Sequence, residues 1–282
     1  MMNNWPLLLE TQQLADALHD PKLLILDTSS VDNYAKHHVP GAVHIAPAEL
    51  QCGIKPAAGK LPSTKQLQAL FSRVGLTPDK HVIAYDDEGG GWAGRLIWTL
   101  DVIGHRSYSY LNGGLPAWLS EGHTTEQVAN QPLPSEVDIS LDSSVIAEIE
   151  DFIGLLDNPQ LAIWDARSPQ EYSGEKVLAQ RGGHIPGAIN LDWLELMNRD
   201  NHLRLKDLQR LQKKLDGLGL SADKTVITHC HSHHRSGLSY LLMKILGYPH
   251  IKAYHGSWGE WGNREDTPVE TGSQPKSSAE QP

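Results

Sequence analysis

One order of segments occurs twice in this chain, and that duplication limits its fold more than any other feature. The short apolar run Leu23-Leu24-Ile25-Leu26-Asp27 ends on a carboxylate, and Leu161-Ala162-Ile163-Trp164-Asp165 repeats it. His38-Val39-Pro40-Gly41-Ala42-Val43 recurs as His184-Ile185-Pro186-Gly187-Ala188-Ile189, with a Pro-Gly turn in each. An amphipathic helical pattern follows at Leu67, Leu70, Phe71 and Val74, and again at Leu208, Leu211, Leu215 and Leu218. The apolar runs His81–Asp86 and Thr225–His229 come next, each leading through a loop into a second helical pattern. Tyr110 to Trp118 is then echoed by Ile251 to Trp258.

Strands that alternate with helices pair in parallel and need helices on both faces of each sheet. The expected fold class is therefore α/β, in two tandem domains over residues 1–128 and 129–270. The polar stretch Gln127–Ser135, with Pro132 and Pro134, reads as the linker between them. Residues 46–63 read as an irregular connection. A tail rich in Gly, Ser, Gln, Pro and Lys over 271–282 is expected to be disordered.

The two copies differ where chemistry would sit. Aligning Val82-Ile83 with Val226-Ile227 sets Asp86 opposite Cys230, so one copy offers a carboxylate and the other a thiol. The stretch Val226-Ile227-Thr228-His229-Cys230-His231-Ser232-His233-His234-Arg235-Ser236-Gly237 reads as strand, tight loop and helix, with the cysteine at the hinge. Backbone N–H groups of a short loop and the positive end of the following helix favour an anion there. A free thiol ionises near pH 8.5, and such a field lowers that value. Arg235 and up to four histidines, 229, 231, 233 and 234, would add to it, although a loop-filling or solvent-facing place is the favoured reading for each histidine. A single active site, in the second domain, is the expectation.

Composition narrows the partners. A formal charge of −10, without a basic run, argues against nucleic acid, so attraction for an anionic substrate has to be local. Only Cys52 and Cys230 are present, which implies no disulfide framework and a reducing compartment. Met1-Met2-Asn3-Asn4-Trp5-Pro6 lacks the charged-then-apolar order of a signal peptide. Apolar runs fall well short of the ~20 residues that span a bilayer. A cytoplasmic enzyme with no membrane partner is expected.

Three motifs together resemble the tandem-domain rhodaneses, the thiosulfate:cyanide sulfurtransferases. They are Tyr34-x-x-x-His38-Val39-Pro40-Gly41-Ala42-x-x-Ile45, the run Tyr254-His255-Gly256-Ser257-Trp258-Gly259-Glu260-Trp261, and the loop opened by Cys230. His255 stands where that family more usually has an acidic or small residue. The loop is similar to a bacterial subgroup reading Cys-x-x-His-His-Arg, here Cys230, His233, His234 and Arg235. The resemblance implies two rhodanese-like domains and transfer of the outer sulfur of thiosulfate through a Cys230 persulfide to cyanide or another thiophilic acceptor. It implies no cofactor and no metal. Arg235, His233, His234, Ser232 and His231 are the expected substrate-binding residues. Asp165 and Arg167 are expected to support the loop as a salt bridge. Asp27 reads as a turn-stabilising carboxylate, Trp193, Trp258 and Trp261 as packing residues, and Cys52 as chemically idle.

Donor choice is read from Glu171. Mercaptopyruvate-using and vertebrate-type relatives place an arginine at the matching position, and a carboxylate there repels the longer donor's own carboxylate. Thiosulfate is therefore expected to be preferred to 3-mercaptopyruvate, unless Arg167 or Arg181 reaches in to compensate. Sulfur-acceptor proteins are an open alternative to a small acceptor, because a sulfur-relay carrier shares all of this chemistry. A phosphatase of related fold needs arginine six positions after cysteine, whereas Arg235 stands five after Cys230. A metal-binding module is disfavoured because the His and Cys residues are nearly consecutive and cannot all face one ion.

Overall fold

The central strands of each half are buried at nearly every residue, so both faces of each sheet are covered. The computed structural model describes residues 5–273; the tail expected beyond 271 lies outside the described residues from position 274 on. Two compact units emerge. The first takes the chain up to Cys52, then Leu61–Asp142 and Met197–Leu205; the second takes Gly53–Lys60, Ser143–Leu196 and the chain from Lys206 on.

In the first unit, strands β1 (Leu8–Leu9), β2 (Leu23–Asp27), β3 (Val43–His44), β4 (His81–Tyr85) and β5 (Tyr108–Leu111) form one parallel sheet in the order β1-β5-β4-β2-β3. Its helices are α1 (Thr11–Ala15), α2 (Val31–Lys36), α3 (Thr64–Arg73), α4 (Gly91–Val102) and α5 (Gly114–Ser120). Helix α3 starts where Ser63 accepts the Gln66 N–H and the Gln66 side chain accepts the Ser63 N–H, a reciprocal cap. Leu67, Leu70 and Phe71 are its buried face.

The second unit repeats the arrangement with β6 (Ile146–Ala147), β7 (Leu161–Asp165) and β8 (Ile189–Asn190). A short antiparallel hairpin, β9 (Met197–Asn198) with β10 (Arg204–Leu205), counts with the first unit. Strands β11 (Thr225–His229) and β12 (Ile251–Tyr254) complete the second sheet, in the order β6-β12-β11-β7-β8. Its helices are α6 (Ile149–Phe152), α7 (Pro169–Ser173), α8 (Leu208–Gly217), α9 (Arg235–Ile245) and α10 (Ser257–Trp261). Phe152, Ile163, Tyr172, Ile185, Tyr254 and Trp258 belong to one of its core clusters.

Three features depart from the sequence reading. Residues 129–142 hydrogen-bond to the first unit, through Ser135 N to Ser72 O (3.0 Å), Ser135 Oγ to Leu76 O (2.6 Å) and Asp142 N to Val102 O (2.7 Å). Composition marks them as linker, but their backbone polar groups still need partners, and the nearest lie on that unit. Residues 53–60, read as plain connection, count with the second unit. Leu218 ends the α8 pattern outside the core, 38% exposed, because it is already the C-terminal cap.

In the first unit the position matching Cys230 is filled by a carboxylate that its own loop encloses. Asp86 is fully buried and accepts N–H bonds from Glu88, Gly89, Gly90 and Ala93 at 2.8–3.1 Å. Burial and the nearby Glu88 push its pKa up to about 6, the four donors oppose that, and at neutral pH the group is ionised. Asp86→Ala leaves those donors facing a methyl group. It is expected to lower stability by about 1.5–3 kcal/mol, the range for hydrogen bonds to a charged group. Urea unfolding checks this, and a loss below about 0.5 kcal/mol would show that the carboxylate does not hold the loop.

Candidate active site

Strands β7 and β11 end side by side, with Asp165 and His229 directly opposite in register, and the loops leaving this edge carry the candidate residues. In open α/β sheets ligands bind outside the carboxyl ends of the strands.

The floor is a buried ion pair. The Arg167 Nε donates to both Asp165 oxygens at 2.9 and 3.0 Å, Nη2 to Asp165 Oδ2 at 2.5 Å, and Nη2 also to Gly183 O at 2.8 Å. The guanidinium lies 4.4 Å from the centroid of the buried Trp258 ring. Burial would raise the Asp165 pKa, but the Arg167 guanidinium outweighs it and holds the carboxyl below its ordinary value. His229 is buried between Asp165, 3.7 Å from Nε2, and the Cys230 carbonyl, 3.2 Å from Nδ1. Burial pushes this imidazole down to about 4, so it is neutral at pH 7.

Cys230 follows, 1% exposed. It stands just before α9, whose first turn holds Arg235 and Ser236. The Ser236 oxygen lies 2.8 Å from His233 Nδ1. Burial raises the thiol's pKa; the Arg235 guanidinium, Ser236 and His234 outweigh it, and the net value lies below that of an ordinary thiol.

The loop is held from the far strand. Ser257 Oγ accepts N–H bonds from Cys230 at 3.3 Å and His233 at 3.1 Å, and donates to Tyr254 O at 2.9 Å. Trp258 N donates to Cys230 O at 3.0 Å, and Gly259 N to His231 O at 2.9 Å. These bonds over-determine a strained backbone: His233 has φ 52°, a left-handed conformation that costs a non-glycine residue about 1–3 kcal/mol.

Arg235 does not stand as an open cation. Its fork closes on Glu171, Nη1 to Oε2 at 2.6 Å and Nη2 to Oε1 at 2.9 Å. Burial raises the Glu171 pKa, but Arg235 prevails and brings it to about 2. Glu171 also completes the reciprocal cap of α7 with Ser168. The remaining expected residues diverge. His234 lies 5.6 Å from the Trp193 ring, Ser232 packs its backbone against Gly59, and His231 presents its carbonyl to α10. Arg181 is spent on Thr267 O, at 2.7 Å, and Trp261 O, at 2.9 Å, and Arg167 on Asp165, so neither compensates for Glu171.

Two of the histidines that could have supplied charge do not. Burial lowers His229 and His231, and Arg235 lowers His231 further, so both imidazoles are neutral at pH 7. Among the described residues no three His, Cys, Asp or Glu side chains are placed to hold one metal ion. Ser236, Ser257 and the Arg235–Glu171 pairing carry no mark in the sequence. Ser236 could have been weighed from its place in the first helical turn; Ser257 acts across 27 residues, a distance no local pattern records.

A family model for the rhodanese-like domain matches residues 10–121 and 148–264. A thiosulfate sulfurtransferase of Azotobacter vinelandii is 49% identical over 94% of this chain and 97% of its own length. One from Pseudomonas aeruginosa is 46% identical over 96% and 99%. Among solved structures, a 3-mercaptopyruvate sulfurtransferase of Escherichia coli superposes with a TM-score of 0.80 at 28% identity, covering 90% of this chain and 99% of that one.

Neutral, buried His229 makes the fold acid-sensitive. Its pKa is about 4 when folded against about 6.5 when unfolded, so the unfolded chain binds more protons between those values and stability falls as pH drops through that window. The loss expected from this group is about 3 kcal/mol between pH 7 and pH 4. Urea unfolding across that range should show a shallower fall in His229→Asn than in the wild type, and parallel curves would refute the assignment.

Proposed function

Because the chain belongs to the rhodanese family, we propose that it is a thiosulfate sulfurtransferase acting through a persulfide on Cys230. The observation that carries this reading is a buried thiol at the N-terminus of α9, between a strand end and Arg235, whose guanidinium lowers its pKa against the effect of burial. The names of the two relatives at 46–49% identity support the substrate. In the first step the Cys230 thiolate attacks the outer sulfur of thiosulfate. A new sulfur–sulfur bond forms, the old one breaks, and its electron pair leaves with sulfite. In the second step cyanide or another thiophile attacks the outer persulfide sulfur and returns the thiolate. The lowered pKa of the thiol raises its thiolate fraction, and once the thiol is ionised neither step needs a general base or a cofactor.

Two anions meet in the first step, so the surrounding charge decides the barrier. Ser236 is poised to stabilise the negative sulfur in both states. Arg235 has five N–H donors, of which Glu171 engages two, and we assign the others to the sulfonate end of the donor. Asp165 and Arg167 hold the loop from below. His233 orients Ser236, and His231, Ser232 and His234 line the path of the donor through their backbone and rings. The reading places the enzyme in the cytoplasm, with small-molecule donor and acceptor as partners and a sulfur-accepting protein as the alternative second substrate. Among the described residues no helix is long and apolar enough to cross a membrane.

Intact-mass measurement tests the cycle. One sulfur atom should be gained with thiosulfate and lost with cyanide. Cys230→Ser should abolish both, and Cys52→Ser should leave thiocyanate formation within about twofold of wild type. A folded Cys52→Ser enzyme without turnover would refute the single-carrier reading.

Donor choice follows from Glu171, which half-neutralises Arg235 and faces any incoming carboxylate. Thiosulfate should show the higher kcat/KM at equal pH with the same acceptor. Glu171→Gln removes one negative charge, worth about 1–2 kcal/mol, and should raise mercaptopyruvate kcat/KM about five- to thirtyfold relative to thiosulfate. A wild-type preference for mercaptopyruvate, or an unchanged ratio in the variant, would overturn this account.

A further inference from the structure

The cysteine loop has a neighbour that its place in the chain does not foretell. A Cβ built on Gly59 would lie 2.3 Å from Ser232 O, 2.5 Å from Ser232 C and 2.6 Å from Ser232 Cα, where ordinary contacts begin near 3.4 Å. All three are backbone atoms of the loop, so no side-chain rotation could relieve the clash. Gly59 is buried, and its φ is not one that demands glycine. The requirement for glycine is therefore close approach. A second contact lies beside it. A Cβ on Gly259 would fall 2.9 Å from His231 O and 3.0 Å from Pro56 O. His231 and Ser232 are thus gripped between the start of α10 and residues 56–59.

The segment is pinned at its end. Lys60 Nζ lies 3.0 Å from Glu148 Oε2 and 2.8 Å from Glu260 Oε1. Glu148 also meets His255 Nε2 at 2.9 Å, and Glu260 accepts the Tyr254 hydroxyl at 3.0 Å. Burial alone would lower the Lys60 pKa; the two carboxylates reverse this and keep the ammonium charged. Ala57 O accepts the Lys60 N–H, and Ala58 O the Gly53 N–H, which folds the segment on itself. Glu260 and Gly259 share α10 with Ser257, whose hydroxyl holds Cys230 and His233. The anchor and the loop support are therefore one rigid piece.

We propose that Pro56–Lys60 is a positioning element of the active site, with Gly59 as the contact that fixes the cysteine loop and Lys60 as its anchor. It rests on the reading of Cys230 as the nucleophile. Bulk added at Gly59 would push Ser232 away, and loss of the Lys60 anchor would let His231 and Ser232 move toward the loosened segment. Either shift would change the shape of the loop around the Cys230 sulfur.

The test is the pH dependence of Cys230 alkylation by iodoacetamide in the full chain, together with the single-turnover rate of sulfur uptake from thiosulfate. Gly59→Ala should move the alkylation midpoint to higher pH and slow sulfur uptake about tenfold. Should that variant not fold, Lys60→Met carries the test, with a smaller shift in the same direction. Lys60→Arg should restore the wild-type profile, and Lys55→Ala, an exposed lysine of the same segment, should not change it. Wild-type alkylation profiles in a folded Gly59→Ala or in Lys60→Met would overturn the proposal. Alkylation reads the thiol and not turnover, so a wild-type chain inert to thiosulfate would sink the functional reading alone.

Discussion

Each unit is organised around one acidic group held where its central strand turns into a helix. In the first unit that group is the Asp86 carboxylate, enclosed by four backbone donors of its own loop. In the second it is the Cys230 thiol, whose pKa Arg235 and Ser236 lower against the effect of burial. Parallel strands bring their C-terminal ends to one edge, and the helix that follows presents unpaired N–H groups there, so an anion satisfies both loops. A carboxylate makes this arrangement permanent and inert. A thiolate makes it reactive, because sulfur can leave the cradle's care by taking on another atom.

The remaining charges around Cys230 are arranged in opposed pairs. Asp165 balances Arg167, and Glu171 balances Arg235. Burial keeps His229 and His231 neutral, so the site does not draw anions by massed positive charge. This is consistent with a chain whose formal charge is −10 and whose attraction for an anion must act at short range. Glu171 couples two things at once: it caps α7 and closes the Arg235 fork.

The loop's rigidity comes from elements remote in sequence. Ser257 and Gly259 hold it from one side and Pro56–Gly59 lies against the other, while the strained φ of His233 persists because both sides are packed. A loop fixed in this way can stabilise a negative charge without reorganising.

By itself the sequence determined the duplication, the parallel α/β class, the place of Cys230 between strand and helix, and the Asp165–Arg167 pair. Each of these is written in local order: apolar runs ending on a polar residue, helical spacing, and a motif repeated at matching positions. Only the tertiary structure decided that residues 53–60 belong with the second unit, that 129–142 bond to the first, and that Arg235 faces Glu171. It alone set His229 and His231 neutral and chose Ser236 and Ser257 as the loop's hydrogen-bonding partners. Protonation depends on burial, and pairing depends on which strand ends meet at the sheet edge. Both are properties of neighbours far along the chain, and a residue's own surroundings in sequence do not contain them.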